Sequence, residues 1–113
     1  MLELMEEYRD GTCVVSCCGR LDSESVPRFD EWRERRITGE SLRIIIDCSA
    51  LEYISSIGLR SILTAYRHAG RCGATLLFCG LTGLSREVFQ TAGLLSHLPV
   101  YTDLPEALAS APC

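Results

Sequence analysis

Apolar and polar positions change period several times along the chain, and each change marks an element. Leu2, Met5 and Tyr8 mark a first strand, and Asp10-Gly11 is a two-residue hairpin signal. Thr12–Cys18 is rich in β-branched residues and cysteine, so the two strands are predicted to pair antiparallel, with Gly19-Arg20-Leu21-Asp22 ending the second. Ser23–Ile37 has helical spacing through Val26, Phe29, Trp32 or Arg33, and Ile37. Asp22, Ser23 and Ser25 are candidate caps there, Pro27 suits the first turn and Gly39 closes the segment. Apart from Arg43, Leu42–Ile46 is a continuous apolar run, as in a strand buried on both faces. After Asp47 and a short turn, Ser56–Ala69 carries the clearest helical stripe, Leu59, Ile62, Leu63 and Tyr66. Arg60, Ser61, Thr64, Arg67 and His68 fall on its other side, and Gly70 is the expected C-terminal cap. Ala74–Cys79 is another buried strand, and Ser85–Ala92 a short helix with Val88 and Phe89 inward, ended by Gly93. Pro99–Tyr101 makes an edge strand, and Asp103-Leu104-Pro105-Glu106 is a capping box opening a last helix through Ser110.

The order β-β-α-β-α-β-α-β-α predicts an α/β fold. Its central sheet is mixed and mostly parallel, with about five strands and about four helices. The 113 residues fit one domain spanning 1–113, and a chain of this size builds one core without metal or disulfide support.

Charge and cysteine usage narrow the function. A net charge of −4 gives no global attraction to nucleic acid or anionic lipid. The basic residues are all arginine, and the cluster Arg33, Arg35 and Arg36 is interleaved with Glu31, Glu34 and Glu40, as on a solvated helix face. The seven cysteines form no CxxC pair and no cysteine/histidine set with zinc spacing. Cys13, Cys17, Cys18, Cys48 and Cys79 lie in or beside strands and read as reduced core thiols of a cytosolic protein, while Cys113 is terminal and expected to be exposed. The N-terminus is not a signal peptide, and no apolar run reaches membrane-spanning length.

Catalytic chemistry finds little support. Neither His68 nor His97 adjoins a nucleophile motif, the chain has no lysine for a phosphate loop, and no Gly-x-Gly-x-x-Gly follows a strand. Asp22 and Asp47 lie at strand ends, where capping and turn formation explain them. The chain therefore reads as a non-enzyme without cofactor or metal.

The richest segment is Leu42–Gly58, LRIIIDCSALEYISSIG, which places Ser55 and Ser56 at a helix start. Ser56 there serves as an ordinary N-cap, or as a hydroxyl where a phosphate is tolerated beside free N–H groups. Gly58 leaves room for a partner's backbone. The strand, Asp47, Leu51, Tyr53 and then Ile54-Ser55-Ser56-Ile57-Gly58-Leu59 resemble the signature of the STAS domain, and within it single-domain bacterial anti-sigma factor antagonists. Gly19-Arg20-Leu21-Asp22, Gly73-Ala74 and Gly93-Leu94 extend the resemblance over nearly the whole chain.

The resemblance implies a STAS-like fold and a partner switch. The unmodified protein would bind an anti-sigma factor that is also a serine kinase of the histidine-kinase-like ATPase fold, releasing that factor's client. Phosphorylation would end binding, and a metal-dependent serine phosphatase would restore it. Aligned on Gly58, the phosphoacceptor is Ser56, with Ser55 as the alternative because it stands where the family commonly has aspartate. The residue after the acceptor, usually serine or alanine, is Ile57. The implied partner face is Ser55, Ser56, Ile57 and Gly58 with Arg60 and Ser61 pointing outward, flanked by Arg20–Ser23, including Asp22, and by Gly80–Thr82. A monomer is expected. Two other readings stand beside this one: an unphosphorylated STAS scaffold in a larger complex, such as a transporter assembly, and a small ligand-binding or catalytic domain.

Overall fold

Asp10 and Gly11 adopt left-handed φ values of 51° and 81°, as a two-residue hairpin demands. In the computed structural model, which describes residues 1–38 and 42–110, they join β1 (Leu2–Arg9) to β2 (Thr12–Leu21) in an antiparallel pair. Gly39, Glu40 and Cys113 lie outside the described residues. The elements continue as α1 (Val26–Arg36), β3 (Arg43–Asp47), β4 (Leu51–Ile54), α2 (Ser56–Cys72), β5 (Thr75–Cys79) and α3 (Gly83–Thr91). A 3-10 turn (Leu94–Ser96), β6 (Val100–Tyr101) and α4 (Leu104–Ala109) complete the order. The expected α/β architecture is present, with four α-helices and a sheet of six strands ordered β1-β2-β3-β5-β6. All pairings except β1–β2 are parallel.

The extra strand is β4, in the segment expected to be a turn. It pairs with the tail of β2, Gly19–Leu21, beyond a register shift between Gly19 and Arg20. Gly19 turns its N–H to Ala50 while the next amide, of Arg20, turns to Met1, and its φ of 113° fits that reversal. Four residues are too short a run to show period-2 alternation, although Leu51 and Ile54 are buried.

β3 shows why its three isoleucines stand in a row. Ile44 and Ile46 join Val15, Cys17, Leu76 and Phe78 in the larger core, packed with Phe29, Trp32, Ile62 and Phe89 of the helices. Ile45 faces the opposite side with Val14, Leu77 and Cys79, under Ala107 of α4. On β1 the inward positions are Leu2 and Leu4, whereas Met5 and Tyr8 are exposed.

Caps differ from expectation in two helices. Ser25 precedes α1 without capping it; its hydroxyl donates to the Arg20 carbonyl. α2 runs through Gly70 to Cys72, and Gly73, at φ 78°, is its left-handed cap. α4 begins as the capping box predicts: Asp103 accepts the Glu106 N–H and Glu106 accepts that of Thr102.

Arg43 holds the other end of α4. Its guanidinium donates to Thr12 Oγ1 on β2 and to the carbonyls of Ala107 and Ser110, where a helix C-terminus favours a cation. Arg43→Ala is expected to cost about 1.5–3 kcal/mol, the usual range for hydrogen bonds to a charged group. Chemical denaturation measures that loss, and hydrogen exchange should quicken at the α4 amides more than in β2 or β3.

Candidate functional site

β4 ends where α2 begins, and this junction sets the geometry of the two serines. The Ser55 N–H donates to the Leu21 carbonyl (2.9 Å), which ties the helix start to the end of β2. Ser55 has extended backbone, φ −85° and ψ 174°, and its hydroxyl accepts the Gly58 N–H at 3.1 Å. Ser55, not Ser56, is therefore the N-cap of α2. Ser56 is the first helical residue; it is exposed, and its hydroxyl has no hydrogen-bond partner among the described residues.

Gly58 has a different task from the one expected. It is buried, and an added Cβ would overlap the Leu21 carbonyl oxygen and stand 3.0 Å from Leu21 Cγ. The missing side chain lets α2 cross its own sheet closely, so the space belongs to Leu21 and not to a partner. Ser61 is also corrected. It is 5% exposed and turns inward, its hydroxyl donating to Asp30 Oδ1 on α1 at 2.5 Å. The buried stripe of α2 is Gly58, Ser61, Ile62, Ala65 and Ala69, with Leu59, Leu63 and Tyr66 partly buried along its side. Ile57 and Arg60 remain on the surface next to Ser56.

Beside Ser56 a cleft of about 340 Å³ opens between α2 and α3. Leu59, Leu84, Val88 and Ala92 give it apolar walls, and Glu87 is its one charged residue. Leu84 and Ile57 are large apolar side chains left 56% and 44% exposed at this end of the molecule. The sequence predicted the helix at Ser85–Ala92 but placed only Gly80–Thr82 as the flank, not α3 beside Ser56. The signal was present: Leu84, Val88 and Ala92 recur at four-residue spacing, a second apolar stripe beside the inward Phe89.

The Leu21–Ser55 bond brings the turn after β2 to the same place. Asp22 Oδ1 accepts the N–H groups of Glu24 and Ser25, Arg20 Nε lies 3.6 Å from Asp22 Oδ2, and the Arg20 guanidinium stands 4.5 Å above the Tyr53 ring. Desolvation raises the Asp22 pKa, but the Ser25 and Glu24 hydrogen bonds and the nearby amino terminus outweigh it, leaving the carboxyl below its usual value. A depressed folded-state pKa means stability that is present above the ordinary carboxylate range and lost as pH falls through the folded value. NMR titration is expected to place the Asp22 midpoint below 3.8, and Ser25→Ala should move it upward.

Elsewhere the chemistry is quiet. Burial pushes the Cys17 thiol up to about 12, and burial with the Asp47 carboxylate does the same for Cys79. Cys13 and Cys48 are buried too and shifted upward by desolvation, whereas Cys18 is only half-buried. Thiols held this far from thiolate are poor nucleophiles. Among the described residues no group of three or more histidine, cysteine or acidic side chains could hold a metal ion, and no helix is long and apolar enough to cross a membrane.

Comparison with known proteins agrees with this geometry. The STAS domain model matches residues 4–107. A Bordetella bronchiseptica protein provisionally named anti-sigma factor antagonist BtrV is 29% identical over 110 residues, covering 97% of this chain and 94% of its own. The crystal structure of an anti-sigma factor antagonist from Mycobacterium paratuberculosis superposes with a TM-score of 0.83 at 23% identity, covering 97% of this chain and 93% of its own. The Bacillus cell fate determinant SpoIIAA, solved in a phosphorylated form, does so with a TM-score of 0.68 at 20% identity, covering 96% of each chain. With the family model spanning nearly the whole sequence and the signature serines at the start of α2, the chain belongs to the STAS domain family.

Proposed function

We propose that this protein is an anti-sigma factor antagonist acting as a phosphorylation-controlled partner switch. The observation that carries the reading is the division of labour between the serines: Ser55 is occupied as a cap, while the Ser56 hydroxyl stands free at the rim of the apolar cleft. The unmodified face, with Ile57, Arg60 and Leu84 around Ser56, binds an anti-sigma factor that is also a serine kinase of the histidine-kinase-like ATPase fold, and its client is released. In the kinase reaction Ser56 Oγ attacks the γ-phosphorus of ATP, the hydroxyl proton leaves and ADP departs. A serine phosphatase hydrolyses the ester and resets the switch. The protein is a substrate here and supplies no catalytic group; it works as one cytoplasmic domain and as a monomer.

Electrostatics support the direction of the switch. A phosphate on the first residue of α2 meets the positive end of the helix dipole, so the fold tolerates it. The same group adds about −1.5 to −2 charges to a cleft that already holds Glu87. A partner that covers the cleft must desolvate that charge, and binding fails. The names of the relatives and the existence of phosphorylated SpoIIAA support the same reading. The test is partner capture by Ser56→Ala and Ser56→Glu baits: the first keeps the partner and the second loses it.

A further inference from the structure

β5 is fully paired along only one of its edges. β3 accompanies it from Thr75 to Cys79, but β6 on the other side pairs only Phe78 and Cys79. In a parallel ladder, alternate residues turn both their N–H and C=O to the same neighbour. The Thr75 N–H donates to Leu42 on the β3 side, whereas the N–H groups of Phe78 and Gly80 donate to Pro99 and Tyr101 on the β6 side. Leu76 is in phase with Phe78 and so presents its main chain toward β6. The pairing stops there for a covalent reason. The next donor in the ladder would be the N–H of Pro99, which proline lacks. The chain before it turns away, with the amides of His97 and Leu98 both donating to the Leu94 carbonyl. No described residue of this connection bonds the Leu76 amide. Leu76 is 2% exposed, and a buried main-chain group without a partner is rare.

A groove of about 340 Å³ opens at this place, between the C-terminal half of α2 and β5. Ala69, Ala74 and Pro99 give it an apolar lining, and Tyr66 and Arg67 stand along it. Arg67 is exposed and pairs with no carboxylate among the described residues. Gly70, also on the groove, has nothing within 4 Å of the position of an added Cβ.

We propose that this groove is a second docking site, which takes a short extended segment of a partner protein by strand addition to β5. The partner's main chain supplies the acceptor and donor that Pro99 and the receding connection withhold from Leu76. An apolar side chain fills the space over Ala69 and Ala74, and an acidic side chain meets Arg67. The unmet groups are a main-chain N–H and C=O, which a peptide backbone matches and a purely apolar ligand does not. Arg67 lies roughly 16 Å along α2 from Ser56, at ~1.5 Å per residue, so this site operates whatever the state of the serine face.

The test titrates the full-length ¹⁵N-labelled protein with a capped hexapeptide of alternating valine and glutamate, and with a glycine–glutamate peptide of the same charge. The valine peptide is expected to shift the Leu76 amide resonance and slow its hydrogen exchange at least tenfold. Arg67→Glu and Gly70→Leu should each weaken binding tenfold or more. Gly70→Leu lies in an exposed helical position where leucine favours the helix, so the fold is kept while the groove is filled. Ser56→Glu should leave the affinity unchanged, which separates this site from the switch. An unmoved Leu76 amide, equal binding of the glycine peptide, or full binding by Gly70→Leu would overturn the proposal.

Discussion

Ser56→Glu is expected to lower affinity for the captured partner by about 10²-fold or more while the protein stays folded. The size follows from a fixed charge that must be desolvated beside Glu87 in an apolar cleft, a cost of ~3 kcal/mol. The fold survives because a carboxylate in the first turn of α2 is favourable to the helix dipole by about 0.3–1 kcal/mol. Ser56→Ala should bind as the parent does, since the Ser56 hydroxyl bonds no described residue. Ser55→Ala is the informative control. It removes the bond to the Gly58 N–H, so it should cost ~1 kcal/mol of stability and leave partner binding in place. Pull-down with each variant, followed by a titration against the recovered partner, reads all three effects. Tight binding by folded Ser56→Glu would remove the switch.

Gly58→Ala is expected to lose about 3 kcal/mol of stability, a large cost for one methyl group. Its added carbon would overlap the carbonyl oxygen of Leu21, which is backbone and already accepts the Ser55 N–H. Neither partner has a side-chain torsion to relax, so α2 must lift from β2. A fall of roughly 10 °C in the thermal midpoint corresponds to that cost. Gly70→Ala, on the same helix with open space around it, should raise the midpoint instead, because alanine is the better helix former. A neutral Gly58→Ala would show that the crossing is looser than the geometry states.

Local chemistry was legible in the sequence wherever one residue type carried the decision. Asp10-Gly11 announced the hairpin, Asp103 and Glu106 announced the start of α4, and the isoleucines Ile44–Ile46 of the Leu42–Ile46 run announced a strand covered on both faces. What stayed hidden depended on tertiary neighbours. β4 is a strand only because the tail of β2 changes partner at Gly19. Gly70 and Gly73 look equally able to end a helix, and the helix runs on to the second. Ser61 looked outward because serine is polar, yet Asp30 on α1 supplies an acceptor for it on the inner side of α2. Gly58 looked like room for a visitor and is filled by Leu21. The serine pair itself was legible, but which hydroxyl caps and which is free followed only from the backbone geometry at Ser55.

Phosphate mapping tests the switch most directly. The protein is purified from its own cells across growth conditions, weighed intact and sequenced as peptides. The expected result is a single phosphate on Ser56 in the fraction that has lost its partner, and an unmodified Ser56 in the fraction that retains it. Phosphate on Ser55, or a stable partner with no phosphate in any condition, would contradict it.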